Sequence, residues 1–392
     1  MLHSTHSTLL ALTLGHSALS AMALASPQAA SPSSTDSLHA GPLPTKSAQL
    51  QDRDVLWTWD DRLRWRTPDY EFTGSIGGEF VFLAEFGGAA TDSDRFRFEQ
   101  ARLRVDGQIY QSLSYMARID FAEDETRLRD VYLQFDELFL GANLRLGNQR
   151  EPFGLEQLTD LHATTFIDRS AFSLAPGWAV GAAVHSDFAG GAGVWSIGFF
   201  GPDVGVEKTS EFEGEGNLTG RVAYALEDVA AADDLLHIGA AASSRGTSDP
   251  GSDRATLFGA ELAYVAGPFS AQAEWHERVD DDGSLGGDAT SWYAQASYFL
   301  TDDRRRYEGG RFLNVDPSSR WVGFGQSGGG ALELALRLDQ RDDGGPSDDE
   351  RIELGLNWYL SATASLSISG ATTELDGGST DESLGLRTVL LF

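Results

Sequence analysis

The chain ends Ser383-Leu384-Gly385-Leu386-Arg387-Thr388-Val389-Leu390-Leu391-Phe392. In an extended strand successive side chains point to opposite faces. Leu384, Leu386, Thr388, Leu390 and Phe392 therefore share one face, and the chain stops on an aromatic residue. A soluble sheet gains little from such an ending. A closed barrel in a membrane gains from it, because the outward face meets lipid and the terminal aromatic sits at the interfacial girdle. One strand does not separate these readings, since the signal per barrel strand is weak.

Working outward, the same period of two recurs from about Glu71 to the end, and helical patterning is nearly absent. In Tyr110 to Phe121, Leu113, Tyr115, Ala117, Ile119 and Phe121 oppose Ser112, Ser114, Arg118 and Asp120. Leu332, Leu334, Leu336 and Leu338 oppose Glu333, Arg337 and Asp339. Ile352, Leu354, Leu356 and Trp358 oppose Arg351, Glu353 and Asn357, and Leu366 and Ile368 oppose Ser365, Ser367 and Ser369. Strand-like segments begin near residues 70, 94, 109, 127, 138, 178, 192, 215, 235, 254, 268, 289, 330, 350, 362 and 381. That makes about sixteen, an even number, each roughly the 9–13 residues that a tilted strand needs to cross the hydrocarbon. The polar face is the wet exterior of a soluble sandwich or the lumen of a barrel, and periodicity alone fits both. Strand number, an N-terminal leader and the final Phe392 favour an all-β, transmembrane antiparallel barrel over residues 54–392. Two segments break the rhythm, Arg150 to Pro176 and Thr301 to Gly330; loops of that length are usually functional. The second, with Arg304-Arg305-Arg306, reads as an external loop or a segment folded into the lumen.

Composition bounds the rest. Mean hydropathy is −0.25, and after the N-terminus no apolar run is long enough for a membrane helix, so any spanning is by barrel. With no Cys there is no disulfide, thiolate nucleophile or thiolate metal site. Lys46 and Lys208 are the only lysines, so positive charge is nearly all Arg. A formal charge of −30 with no basic face disfavours nucleic acid. Leu9 to Ala25 is apolar and ends in Ala23-Leu24-Ala25, a small-x-small cleavage pattern. We read residues 1–25 as a signal peptide, although its first positions carry His3 and His6 and no Lys or Arg. Residues 26–53, rich in Ser, Pro and Ala, read as a flexible linker.

No enzyme signature emerges. His162, His185, His237 and His276 are scattered, and there is no Gly-x-Ser-x-Gly elbow or phosphate-binding loop. Asp280-Asp281-Asp282-Gly283-Ser284 lacks the alternating ligands and distal Glu of a calcium loop. The expectation is no catalytic residue, no metal and no cofactor.

Several motifs then become recognisable. Phe98-Glu99-Gln100-Ala101-Arg102-Leu103-Arg104-Val105-Asp106-Gly107 resembles the "FRRARLRLEG" strand of the phosphate-selective porin O/P family. Asp130-Val131-Tyr132 resembles its "DAY" strand. Leu146 to Glu156, with Pro152-Phe153-Gly154-Leu155-Glu156, resembles "GQFKxPFGLE", the most specific match, and Thr165 to Ser170 resembles "TFxERS". Gly267-Pro268-Phe269 with Glu274, Ala296 to Thr301 and Ala331 to Arg337 follow in order, so the resemblance covers most of the expected barrel. It implies a sixteen-stranded, trimeric porin in the outer membrane of a Gram-negative bacterium, passing small anions such as phosphate by diffusion. Arg102, Arg104, Arg150, Arg169 and Arg337 match basic positions of its motifs. The chain departs from the family in Glu99-Gln100, which replaces an Arg pair, in Arg150, where Lys is common, and in its dearth of lysines; these departures bear on phosphate specificity.

Charge position matters more than the total. Acidic runs fall mostly in turns, as at Glu123 to Glu125, Asp280 to Asp282 and Asp348 to Glu350. Such carboxylates are screened beyond about 10 Å at ordinary ionic strength. They suit divalent cations bridging to lipopolysaccharide, or simply a solvated surface. Charges in the narrowest part set selectivity. The candidate anion-attracting lumen residues are Arg102, Arg104, Arg118, Arg145, Arg150, Arg169, Arg221 and Arg337. The competing reading is that each pairs with a cross-strand carboxylate and only shapes the lumen. Two functional alternatives stand beside the anion channel: a general or weakly cation-favouring porin, and a structural or adhesive outer-membrane barrel with a plugged lumen.

Overall fold

The computed structural model describes residues 55–87, 94–122, 126–201, 216–231, 233–246, 254–280, 283, 286–326, 328–344, 348–375 and 378–392. The leader and linker expected over residues 1–53, both lysines, the acidic run at 123–125 and much of that at 280–284 lie outside the described residues.

A short hairpin, β1 (Leu56–Asp60) and β2 (Arg62–Arg66), comes first. The wall then runs β3 (Phe72–Gly87), β4 (Arg95–Ile109), β5 (Leu113–Asp120), β6 (Arg127–Phe139), β7 (Ala142–Arg150), β8 (Trp178–Phe188), β9 (Gly193–Phe200) and β10 (Asn217–Glu227). It continues with β11 (Leu235–Arg245), β12 (Ala255–Ala266), β13 (Phe269–Val279) and β14 (Ala289–Phe299). A second small hairpin, β15 (Arg306–Glu308) and β16 (Arg311–Leu313), stands apart from the wall. β17 (Ala331–Asp342), β18 (Asp349–Ser361), β19 (Ala364–Leu375) and β20 (Ser379–Leu391) complete it. Each wall strand pairs antiparallel with the next, and β14 passes directly to β17. The last strand closes on the first, from Ser383↔Gly87 to Leu391↔Glu79. The wall is thus a closed barrel of sixteen strands, with every expected start within four residues of the observed one. The two small hairpins were not anticipated.

The direction of the faces decides between sandwich and membrane barrel. Glu353 is 1% exposed on the inside, while its neighbour Leu354 is 61% exposed on the outside. Along β17, Glu333, Arg337 and Asp339 are buried and Leu334, Leu336 and Leu338 are exposed. The Ser365, Ser367 and Ser369 ladder also points inward. In water this inversion would forfeit about 25 cal/mol for each Å² of apolar surface left outside, so the outer face requires lipid. Aromatics gather at both rims: Phe96, Phe121, Phe199 and Trp292 near one, Tyr264, Phe269, Tyr298 and Trp358 near the other. The Phe392 backbone pairs with Gly78 in both directions at 2.7 and 3.0 Å, and its ring packs 5.4 Å from that of Phe80 on the outer face. The expected aromatic terminus on the lipid side is therefore present.

One end of the barrel carries short turns, at 110–112, 140–141, 267–268 and 362–363. Residues 300–330 leave from this same end, whereas residues 151–177 leave from the other.

Candidate functional site: a lumen narrowed by two segments

The lumen is filled from both ends. Residues 151–177 turn inward because the wall offers buried partners around its circumference. At the end of β7, Arg150 donates to the Gln157, Leu158 and Thr159 carbonyls at 3.0, 3.0 and 3.2 Å. These are the exposed carbonyls at the end of a one-turn helix, α1 (Leu155–Leu158), where a cation is favoured. On the opposite wall Glu274 accepts the Leu155 and Glu156 amides at 2.8 and 2.6 Å, satisfying the other end of the same turn. From β20, Arg387 donates to the Leu161, Phe166 and Ile167 carbonyls, each at 3.0 Å. From β18, Asn357 donates to the Thr165 carbonyl at 2.8 Å. Phe153 and Phe166 are buried against Gly259 and Gly355; a Cβ at those glycines would come within 2.8 and 3.2 Å of the rings.

Residues 303–315 fold into the lumen from the short-turn end, whereas Trp321 packs on the outward Trp358 and Val322 and Phe324 are exposed, so the segment is lumen-folded in its first half and external in its second. Arg305 binds Glu333 at 2.9 and 2.7 Å, Tyr359 at 3.0 Å and the Ala163 carbonyl at 3.0 Å, which ties the two inserts together. Tyr307 Oη is 2.6 Å from His237 Nδ1, and the Gly310 carbonyl accepts from Arg221 at 2.9 Å. Phe312 packs with Leu155, Ala263 and Val265.

Six of the eight candidate arginines face carboxylates. Arg102 bridges Glu79 (2.9 Å) and Asp120 (2.7 Å), and Arg104 binds Asp106 (2.8 Å). Arg118 binds Asp130 (3.3 Å) and Asp160 (3.2 Å), and Arg150 shares that Asp160 at 3.0 Å. Arg221 is held by Glu261 at 2.8 and 2.6 Å. Arg337 is surrounded by Glu353 (2.6 Å), Asp339 (3.1 Å) and Glu156 (3.4 Å). The other two differ. Arg145 contacts Gln134 (3.0 and 2.8 Å) and lies over the Tyr132 ring at 4.3 Å, with no carboxylate partner among the described residues. Arg169 donates to the Glu156 and Thr159 carbonyls at 3.1 and 2.7 Å. Of the departures from the family pattern, Glu99 is neutralised locally by Arg97 at 2.6 Å.

Charges in the insert from β7 are strongly biased. Burial pushes Glu156 up to about 7 despite the opposing Arg337, with Glu274 adding to the rise. Burial also acts to raise Asp160, but Arg118 and Arg150 outweigh it and hold the carboxyl well below its ordinary range. Burial and the charge of Arg150 bring Arg169 down to about 10.

Among the described residues, the short-turn half of the lumen holds cavities of two kinds. One, of about 310 Å³, is lined by Arg62, Arg64, Arg102, Arg104, Arg118 and Arg306 against Asp61, Glu79 and Asp160. The other, of about 610 Å³, runs between the inserts and the β7–β9 wall, with Arg145, Arg150, Arg221 and Arg311 against Asp187 and Glu308. Arginines outnumber carboxylates in both. Arg306 and Arg311, exposed in these cavities and carried by the small hairpin, were not among the candidate anion-attracting residues. The Arg304-Arg305-Arg306 run in so acidic a chain was the available signal.

A closed sixteen-stranded barrel, apolar outside and polar inside with inserts narrowing its lumen, defines an outer-membrane channel of the porin class. The chain matches the family model for phosphate-selective porin O and P over residues 73–369 and belongs to that family. It is 27% identical to Porin O of Pseudomonas aeruginosa, over 82% of this chain and 88% of that one. An uncharacterized protein of Caulobacter vibrioides is 26% identical over 62% of this chain and 55% of its own length. Among solved structures, the outer membrane channel DcaP of Acinetobacter baumannii shares the fold at a TM-score of 0.56 and 13% identity, over 83% of this chain and 99% of that one. The trimer form of OmpT of Vibrio cholerae aligns at 0.50 and 10% identity, over 82% of this chain and 99% of that one. The protein is an outer-membrane porin. Its short-turn end faces the periplasm, by the usual asymmetry of such barrels.

Proposed function

We propose that the channel passes small anions, phosphate among them, by diffusion past Arg145, Arg150, Arg221 and Arg311 in the cavity beside the β7–β9 wall. The observation that carries this reading is the excess of arginine over carboxylate in both lumen cavities, in a chain whose formal charge is −30. Arg145 and Arg311 contribute most, since a guanidinium already paired with a carboxylate projects little field, whereas one in a narrow, poorly screened lumen attracts counterions and stays charged at any biological pH. The test is chloride current through single channels in a planar bilayer with phosphate added to the bath. The reading expects concentration-dependent block, weakened by Arg145→Gln and Arg311→Gln. Absence of block in the wild-type channel would remove phosphate and leave a general porin.

A second reading, the plugged structural barrel, draws support from the contact between the two inserts, Arg305 to the Ala163 carbonyl and Phe312 to Leu155. It expects no resolvable channels at all. The proposal extends to a homotrimer, as in the trimer form of the OmpT neighbour, and to lipopolysaccharide held through divalent cations at the acidic loops. The mass of the detergent-extracted protein before heating tests the first, and chelator-dependent release of lipopolysaccharide tests the second.

A further inference from the structure

We infer that the β1–β2 hairpin is a membrane-interface anchor, whose outer face docks at the phospholipid headgroup level of the periplasmic leaflet. Residues directly opposite in an antiparallel pair project to the same face. The register sets Trp57 opposite Trp65 and Trp59 opposite Leu63, then Trp65 opposite Gly74 and Leu63 opposite Ile76 on β3. The three tryptophans and Leu63 therefore lie on the face that Ile76 presents to lipid. That strip continues up the barrel through Phe392 and Phe80, whose rings touch.

Two glycines seat it. A Cβ at Gly74 would stand 2.5 Å from the Trp65 ring, and one at Gly78 would stand 2.5 Å from the Phe392 ring. The opposite face carries Arg62 and Arg64 into the basic cavity of the lumen. Trp57 and Trp59 are 57% and 68% exposed. Tryptophan, with an apolar body and one N–H, is the residue that the glycerol and headgroup layer accommodates best. Lipid is the occupant because the strip continues a face that already meets lipid, with no step or charged residue between them.

The chain has no Cys, so single cysteines can be spin-labelled directly. Thr58→Cys and Trp59→Cys place nitroxides on opposite faces of the same strand. Both variants are reconstituted in phosphatidylethanolamine–phosphatidylglycerol vesicles, with heat-modifiable mobility as the check on folding. At 59, collisions with oxygen relative to a water-soluble nickel chelate should exceed those at 58 several-fold. Equal, nickel-dominated collisions at both sites would place the hairpin in water and overturn the inference. Low collision rates with both reagents at 59, with spin–spin broadening between protomers, would overturn it in favour of a second copy. Trp57→Cys repeats the measurement if Trp59→Cys does not fold.

Discussion

Arg102 on β4 and Arg145 on β7 are both inward arginines, yet they do different work. Arg102 is buried between Glu79 and Asp120. Removing it leaves Glu79 to His162 at 2.8 Å and Asp120 to Arg129 at 3.6 Å, at a cost of about 1–3 kcal/mol. Arg102→Gln should therefore lower the denaturant midpoint of the refolded barrel and leave selectivity little changed. Among the described residues, Arg145 rests on Gln134 and Tyr132. A unit charge about 4 Å from a passing ion is worth about 1 kcal/mol even in bulk water, so Arg145→Gln should cut the chloride-to-potassium permeability ratio roughly fivefold. Glu156 gives the pH dependence. Its carboxyl titrates at about 7, above the ordinary 4.5. As pH falls from 8 to 6 it takes up a proton, the insert loses one buried negative charge, and anion selectivity should rise. The sign for stability is the same: a raised carboxyl binds its proton more tightly in the folded chain, so the cost of ionising it, present above pH 7, is relieved as pH falls toward 4.5. Zero-current potentials across that range, flattened in Glu156→Gln, check the assignment. At this scale the sequence showed which arginines point inward, because alternation dictates it. Cross-strand partners such as Asp120 for Arg102 and Glu353 for Arg337 follow from the same alternation, but the partners on the insert, Asp160 for Arg118 and Glu156 for Arg337, did not, because no local pattern places them in the lumen.

The two inserts are the elements that set the bore. Arg387 alone holds three carbonyls of the 151–177 segment. Arg387→Ala should loosen it, and single-channel records should show higher conductance with more open-channel noise. Replacing residues 306–313 with a short Gly-Ser turn removes Tyr307, Gly310 and Phe312 from their wall contacts and should raise unitary conductance several-fold. Unchanged conductance would place the bottleneck elsewhere. The wall strands were legible because lipid outside and water inside impose a strict period of two on long segments. The first hairpin alternates as well, in Arg62-Leu63-Arg64-Trp65-Arg66, but at five residues it is shorter than the roughly nine a membrane-crossing strand requires, so it did not register as one. Nothing local placed residues 303–315 inside, since their position rests on contacts with His237 and Arg221 on distant strands.

For the whole molecule, the total charge and the charge lining the two cavities have opposite signs. Among the described residues, Asp349, Glu350, Asp381 and Glu382 sit at the strand ends farthest from the short turns, while the cavities between the inserts and the wall carry more arginine than carboxylate. Screening over about 10 Å separates the two populations electrically, which is why net charge is a poor guide to what passes. The mature chain should begin at Ser26, which N-terminal sequencing of the membrane-extracted protein will show. The most direct test is the zero-current potential of the purified protein in a planar bilayer under a KCl gradient. An anion-selective sign, despite the total of −30, is the predicted result. A cation-selective or near-zero potential would contradict the arginine-lined channel and leave its arginines as struts of the lumen wall.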